Sequence, residues 1–140
     1  RVPAYCSGSE ISVSVEHLKQ HPDDTALLTH ELTHAVQGYP VFEPSWLVEG
    51  IADYARQVYG PKQQPGWKLP EVLTPRQNFK DGYRTTGKFL LWLDDKHPGT
   101  VDKLHRKLQS REFAIDDFKE FTGKPVETLW EECVAAFGKK

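Results

Sequence analysis

The chain has 140 residues, of which 38% are hydrophobic and 27% are charged, and its formal net charge at pH 7 is −2. This length and balance are typical of one folded globular domain with a substantial core, here residues 1–140. The nearly neutral charge argues against nucleic acid or an anionic membrane as partner. No apolar run approaches the roughly 20 residues that span a bilayer.

The start of the chain and its cysteines bear on its origin. The sequence begins at Arg1 and contains no methionine, so we expect a processed or excised piece, from which a signal peptide could have been removed upstream. Cys6 and Cys133 lie near opposite ends. They are compatible with one long-range disulfide or with two free thiols, and their spacing is not that of a metal-binding pair.

Two periodic segments open the chain. Residues 8–15 alternate apolar and polar side chains, which predicts a half-buried strand. The next segment predicts a helix over residues 23–37, with an aspartate as its N-cap and a glycine after its end. In this helix we expect Leu28, Leu32 and Ala35 to face the core.

The rest of the chain is predicted to be mostly helical. A second helix is expected over residues 46–59, with Ser45 as its N-cap. Its expected apolar side consists of Leu47, Val48, Ile51, Ala52 and Ala55. Residues 60–80 contain four prolines and no helical period, so we expect an irregular surface segment. Further helices are predicted over residues 81–95, 101–109, 115–121 and 126–137. The expected fold class is α+β, with the strand first.

A short motif in the first predicted helix suggests a metal site. His30, Glu31 and His34 form the pattern H-E-x-x-H. Histidines at positions i and i+4 are one helical turn apart, so their rings can bind the same zinc ion. Glu31 lies beside them and can take a proton from water that the metal activates. The alternative is a coincidence on the surface of a plain helical interaction domain.

The second predicted helix offers a third ligand. Glu49 lies fifteen residues after His34 and can reach the same ion if its helix folds back beside the first. Asp53 is one turn further on and can accept the other ring N–H of a ligating histidine. Two alternatives stay open, namely Asp53 as the ligand with exchanged roles, and a solvated acidic helix face.

These segments are similar to known ones. HELTHAVQG and PSWLVEGIADYAR together resemble the gluzincin zinc metallopeptidases, in which the glutamate of a W-L-x-E-G-x-A segment is the third ligand. In thermolysin-like members, an aspartate four residues later bonds the first histidine. The resemblance therefore implies Glu49 as ligand and Asp53 as the partner of His30. Within that group the chain is most similar to the plant-type basic secretory protein family, over HELTHAVQ, LVEGIADYAR, FKDGYRTTGKFLLWL and FTGKPVETLWEE.

The resemblance implies a zincin-like fold, in which a sheet of several strands precedes the motif helix. Only about two dozen residues precede that helix here, so we expect a small sheet of one or two strands, reduced or truncated, before a mostly helical C-terminal part. It also implies a secreted protein, or a periplasmic or cell-surface one in a bacterium. The mild acidity of the chain departs from the word "basic" in the family name.

Other residues are candidates for the same cleft. The resemblance places a tyrosine, here Tyr83, near the metal, where its hydroxyl could stabilise the oxyanion of amide hydrolysis. The alternative is a partly buried aromatic residue. Arg84 could bind a substrate carboxylate, although a surface arginine is favoured. Trp67 could wall the cleft, and strand residues 11–15 could pair with an extended peptide.

The predicted function is zinc-dependent hydrolysis of peptide bonds. His30, His34 and Glu49 would bind Zn²⁺, and Glu31 would act as the general base. We expect a monomer that acts on a peptide or protein substrate. The alternative is a secreted binding or defence-type module that holds zinc without catalysis.

Overall fold

The computed structural model describes residues 2–138. Its elements are, in chain order, strands β1 (Ala4–Ser7) and β2 (Glu10–Val13), then helices α1 (Val15–Gln20), α2 (Leu27–Gln37), α3 (Ser45–Tyr59), α4 (Tyr83–Lys96), α5 (Thr100–Gln109), α6 (Asp117–Thr122) and α7 (Val126–Phe137). The predicted α+β class, with a small N-terminal sheet, is therefore confirmed. None of the helices within the described residues combines the length and apolar character needed to cross a bilayer.

The N-terminal region is an antiparallel hairpin followed by a short helix. The predicted strand over residues 8–15 is wrong at its end, because β2 stops at Val13. Ser14 is the N-cap of α1, and its hydroxyl accepts a hydrogen bond from the backbone N–H of His17. Val15 is therefore the first residue of a helix rather than the last residue of a strand.

Helix α2 begins later than predicted. It starts at Leu27 after Ala26, which makes no side-chain cap hydrogen bond, so the predicted aspartate cap is wrong. Asp24 is engaged elsewhere, because its carboxylate accepts hydrogen bonds from Arg56 at 2.7 Å and from His17 at 2.8 Å. The ion pair with a buried arginine thus removes the oxygen that would have capped the helix.

The predicted core face of α2 is also wrong. Leu28 and Leu32 are 41% and 53% exposed, and Ala35 is only half-buried. The helix instead packs on α3 through the side that carries His30 and Glu31, both of which are buried. Polar side chains lie on the inner face because their partners come from α3, a tertiary effect that overrides helical periodicity.

Helix α3 agrees with its predicted apolar side, since the five residues expected there are all buried. Its start differs by one residue. Pro44, with extended backbone at φ −76° and ψ 135°, occupies the N-cap position, and Ser45 is the first helical residue without a cap hydrogen bond. An extended backbone is what the N-cap position requires, so the helix begins directly after the proline.

The later helices lie within two residues of their predicted bounds, and α7 matches its prediction. Residues 60–78 are irregular, as expected, and a single 3₁₀ turn over Phe79–Asp81 precedes α4. The main core lies among α3 to α7, and its fully buried members include Leu47, Phe89, Leu90, Leu93, Leu104, Phe118 and Leu129. Both cysteines are free thiols, with Cys133 in this core and Cys6 in β1.

Helices α3 and α4 are in close contact at Gly50. A Cβ atom added there would overlap the side chain of Thr86, which is fully buried. The hydroxyl of Thr86 donates to the carbonyl of Phe79 and accepts from the N–H of Gly82, at 2.6 Å and 2.8 Å. These two bonds prevent Thr86 from turning away, so only glycine fits at position 50.

We expect Gly50→Ala to lower the free energy of unfolding. The overlap with Thr86 costs about 1–3 kcal/mol, which exceeds the gain of up to about 1 kcal/mol in helix propensity. Gly87→Ala is the matched control, because its Cβ would lie 3.2 Å from Cβ of Asp53 and 3.3 Å from the backbone N of Tyr54. Urea denaturation should rank Gly50→Ala clearly below Gly87→Ala, and the reverse order would contradict this account.

Candidate metal centre

Three side-chain atoms from two helices converge beside the cleft. His30 and His34 project from one face of α2, and Glu49 faces them from α3. The Nε2 atoms of the histidines are 3.1 Å apart, and they lie 2.9 Å and 3.2 Å from Oε2 of Glu49. Tetrahedral coordination with bonds of about 2.0–2.1 Å places ligand atoms about 3.3–3.4 Å apart. The trio is therefore close to the spacing that one metal ion needs.

The hydrogen bonds of the two Nδ1 atoms, which lie on the side of each ring away from the trio, determine the tautomer of both histidines. Nδ1 of His30 lies 2.7 Å from Oδ1 of Asp53, and Nδ1 of His34 lies 2.8 Å from Oε1 of Gln37. A carboxylate accepts hydrogen bonds, and the Gln37 amide N–H donates to the carbonyl of Val48, so Oε1 is its acceptor. Each neutral ring therefore carries its hydrogen on Nδ1 and a lone pair on Nε2.

Three lone pairs that face one another at about 3 Å repel unless a cation or a proton lies between them. Two imidazole nitrogens and one carboxylate oxygen are a donor set that suits zinc and related divalent ions. The donor atoms of these three residues are thus suited to bind a divalent metal ion.

The charges of the trio follow from this arrangement. Burial opposes a charge on His30, but the carboxylates of Asp53 and Glu49 outweigh it and raise the pKa of His30 to about 9. Burial also opposes the charge on Glu49, yet His30 and His34 lower the pKa of Glu49 to about 2. In the metal-free protein at neutral pH, a proton on His30 therefore occupies the position of the cation, and metal binding must displace it.

Glu31 stands apart from this network. It is 5% exposed and lines the cleft, but it makes no hydrogen bond or ion pair with any residue between 2 and 138. Buried polar groups are almost always hydrogen-bonded, so a carboxylate without a partner among the described residues is expected to bind water or a ligand. Its location beside the trio is the one that the sequence motif predicts.

Tyr83 lies over His30 from the start of α4. Its ring stacks on that of His30, with centroids 6.2 Å apart and planes 6° from parallel, and 57% of the residue is exposed. Its φ of 46° is uncommon for a residue other than glycine. Burial and then the nearby carboxylates, led by Glu49, raise the pKa of Tyr83, so the phenol keeps its proton at neutral pH.

The cleft has a volume of about 660 Å³ and is lined by six parts of the chain, which are residues 2–6, α2, the loop after it, α3, the irregular segment and the start of α4. Residues 2–6 form one side, so β1 rather than the predicted residues 11–15 borders the cleft. Trp67 lines it as proposed from the sequence, and its ring stacks on the buried guanidinium of Arg56 at 4.2 Å. Arg84 also lines it, and this exposed side chain has no ion-pair partner among the described residues.

Two residues of the site were missed by the sequence analysis. Phe42 lies in the loop after α2 and its ring is 5.4 Å from that of His34, but an aromatic residue in a loop gives no sequence signal. Gln37 follows His34 by three residues in the same helix, so the i, i+3 spacing could have identified it as a partner of the histidine.

Comparison with protein families adds an independent observation. The BSP family model, described as peptidase of plants and bacteria, matches residues 3–133. The chain belongs to this family. The family part of the resemblance found in the sequence is thereby confirmed, and the converging trio lies within the matched part of the chain. Comparisons with curated proteins and with solved structures found no match.

The raised pKa of His30 predicts a pH dependence for the metal-free protein. The pKa of His30 is about 9 in the folded state, against an ordinary 6.5, so protonated His30 stabilises the folded state below pH 6.5. This contribution, at most about 3 kcal/mol, is lost as the pH rises to about 9. Asp53→Asn keeps the side-chain shape but removes one negative charge, so the decline should be shallower. Chemical denaturation between pH 6 and 9.5, with chelator present, measures both slopes, and equal slopes would exclude Asp53 as a cause.

Proposed function

We propose that this BSP family member is a gluzincin-type peptidase that hydrolyses peptide bonds with a zinc ion held by His30, His34 and Glu49. The observation that carries the proposal is the convergence of three lone pairs, 2.9–3.2 Å apart, beside a cleft of about 660 Å³. Membership of a peptidase family supports the same conclusion.

The donor set favours zinc. Two histidines and one glutamate are the ligands of a well-known class of catalytic zinc sites, which leave one position free for water. When bound, zinc would polarise the scissile carbonyl and lower the pKa of the attacking water. Asp53 and Gln37 hold the two rings with their Nε2 atoms toward the ion.

Glu31 is the general base in this proposal. Its carboxylate accepts the proton of the attacking water and then delivers it to the nitrogen of the leaving amine. The absence of any hydrogen bond to residues 2–138 supports the role, because no group of those residues competes for its oxygens.

Tyr83 assists in this proposal as a hydrogen-bond donor. Its hydroxyl keeps its proton because its pKa is raised by burial and by nearby carboxylates. It therefore can donate to the oxyanion that forms when the amide carbon becomes tetrahedral. Its ring is held above His30, which supports a location close to the reacting carbonyl.

The cleft suits an extended peptide. One side of β1 is paired with β2, and β1 also borders the cleft, so a substrate strand could add to it by main-chain hydrogen bonds. Phe42 and Trp67 offer apolar surface for its side chains. We propose a monomer that is secreted, or periplasmic or cell-surface in a bacterium, with a peptide or protein as substrate.

Glu31→Gln should separate catalysis from metal binding. We expect hydrolysis of a peptide library by the zinc-loaded protein to fall by at least about 10²-fold, because the amide cannot accept a proton. Zinc affinity should stay within about threefold, since Glu31 is not a ligand. Glu71 is an exposed glutamate paired with Lys68, so Glu71→Gln is the matched control and should retain full activity.

Two outcomes would contradict the proposal. Failure of the wild-type protein to bind one zinc ion would reject the metal site, and full activity of Glu31→Gln would reject the base. One tightly bound zinc ion, with no cleavage of any peptide in the library, would favour the non-catalytic binding module instead.

Tyr83→Phe tests the oxyanion donor. Loss of the hydroxyl should lower kcat by roughly 10²-fold, while KM changes by less than about threefold, because the bond forms only in the transition state. Tyr59→Phe removes the hydroxyl of an exposed tyrosine at the end of α3 and serves as the control. A kcat unchanged by Tyr83→Phe would remove Tyr83 from the mechanism.

A further inference from the structure

Gln37, the last residue of α2, is 3% exposed, and its side chain makes hydrogen bonds in two directions. Its Oε1 accepts from Nδ1–H of His34 at 2.8 Å, and its Nε2 donates to the carbonyl of Val48 at 3.2 Å. Its own carbonyl accepts from Nε2 of Gln109 at 3.4 Å. The side chain thus joins a histidine of α2 to the backbone of α3.

We propose that Gln37 is a positioning residue of the metal site. Its amide oxygen holds His34 in the tautomer that leaves Nε2 free for the metal, and its amide N–H fixes α3 at Val48, directly before Glu49. One side chain therefore sets the distance between two ligands that belong to different helices. The inference rests on the proposed function for its metal, but the tautomer of His34 can be measured without one.

The chemistry of the position favours an amide. The side chain must accept from His34 and donate to Val48 at the same time, and an uncharged glutamine does both. A glutamate could accept from His34, but its second oxygen would face the carbonyl of Val48. It would also add a fourth carboxylate to a site that already contains Glu31, Glu49 and Asp53.

The two histidines therefore have different outer partners. His30 donates to the carboxylate of Asp53 at 2.7 Å, whereas His34 donates to a neutral amide at 2.8 Å. A carboxylate partner makes a ring more basic, while an amide fixes its orientation with little change of charge. We infer that Gln37 acts mainly through geometry, and Asp53 through charge as well.

Gln37→Met is the primary test, because methionine has a similar length and no hydrogen-bonding amide. Removing such an outer partner typically weakens metal binding by about 10–100-fold, so we expect that loss in competition with a chromophoric chelator for zinc. In ¹⁵N NMR spectra of the metal-free protein, His34 should change from the Nδ1–H tautomer to a mixture. A purely structural role for Gln37 would not change the tautomer.

Two further variants make the test decisive. Gln109→Leu removes the bond to the carbonyl of Gln37 but leaves its amide in place, so zinc affinity and tautomer should match the wild type within about threefold. Gln37→Glu keeps the acceptor, so it should keep the Nδ1–H tautomer and bind zinc at least about fivefold more tightly than Gln37→Met. If Gln37→Met does not fold, as judged by circular dichroism, Gln37→Glu is compared with the wild type alone.

The outcomes separate this inference from the proposed function. If the wild-type protein binds no zinc, the proposed function fails, and the NMR tautomer alone decides the role of Gln37. If Gln37→Met keeps the wild-type tautomer and binds zinc within threefold of the wild type, Gln37 is not a positioning residue. Loss of the Nδ1–H tautomer in a folded Gln37→Glu would also overturn the inference.

Discussion

The lone pairs of His30, His34 and Glu49 face one another across about 3 Å, and the surrounding structure holds them there against their mutual repulsion. A proton or a metal ion relieves this repulsion, and the fold supplies the restraint. Asp53 and Gln37 fix the histidine rings from behind, and both depend on the packing of α2 on α3. The affinity of the site for a cation therefore depends on the packing of α2 on α3.

Helix α3 is the element that makes this possible, because consecutive residues of a single turn perform different tasks. The carbonyl of Val48 accepts from Gln37, Glu49 faces the histidines, and Gly50 admits α4 at close range. The contact at Gly50 in turn brings Tyr83, at the start of α4, above His30. A shift of α3 would therefore change the ligand distances and the location of the phenol together.

Much of the site was predictable because it depends on spacing within single helices. His30 and His34, or Glu49 and Asp53, share a face wherever their helix lies. The predictions that were wrong concerned features that depend on residues distant in the sequence. The N-cap of α2 was mispredicted because Arg56, 32 residues further along, binds Asp24. The buried face of α2 was mispredicted because apolar periodicity does not reveal which side receives α3.

The two cysteines differ in chemical accessibility. Burial raises the pKa of Cys133 to about 12, so its thiol is inert near neutral pH. Cys6 is partly exposed at the edge of the cleft, and its pKa is raised by burial and by the charge of Glu31. At mildly alkaline pH a maleimide dye would therefore react selectively with Cys6. Its fluorescence would sense the electrostatic environment of Glu31 and the arrival of a ligand, without any engineered attachment point.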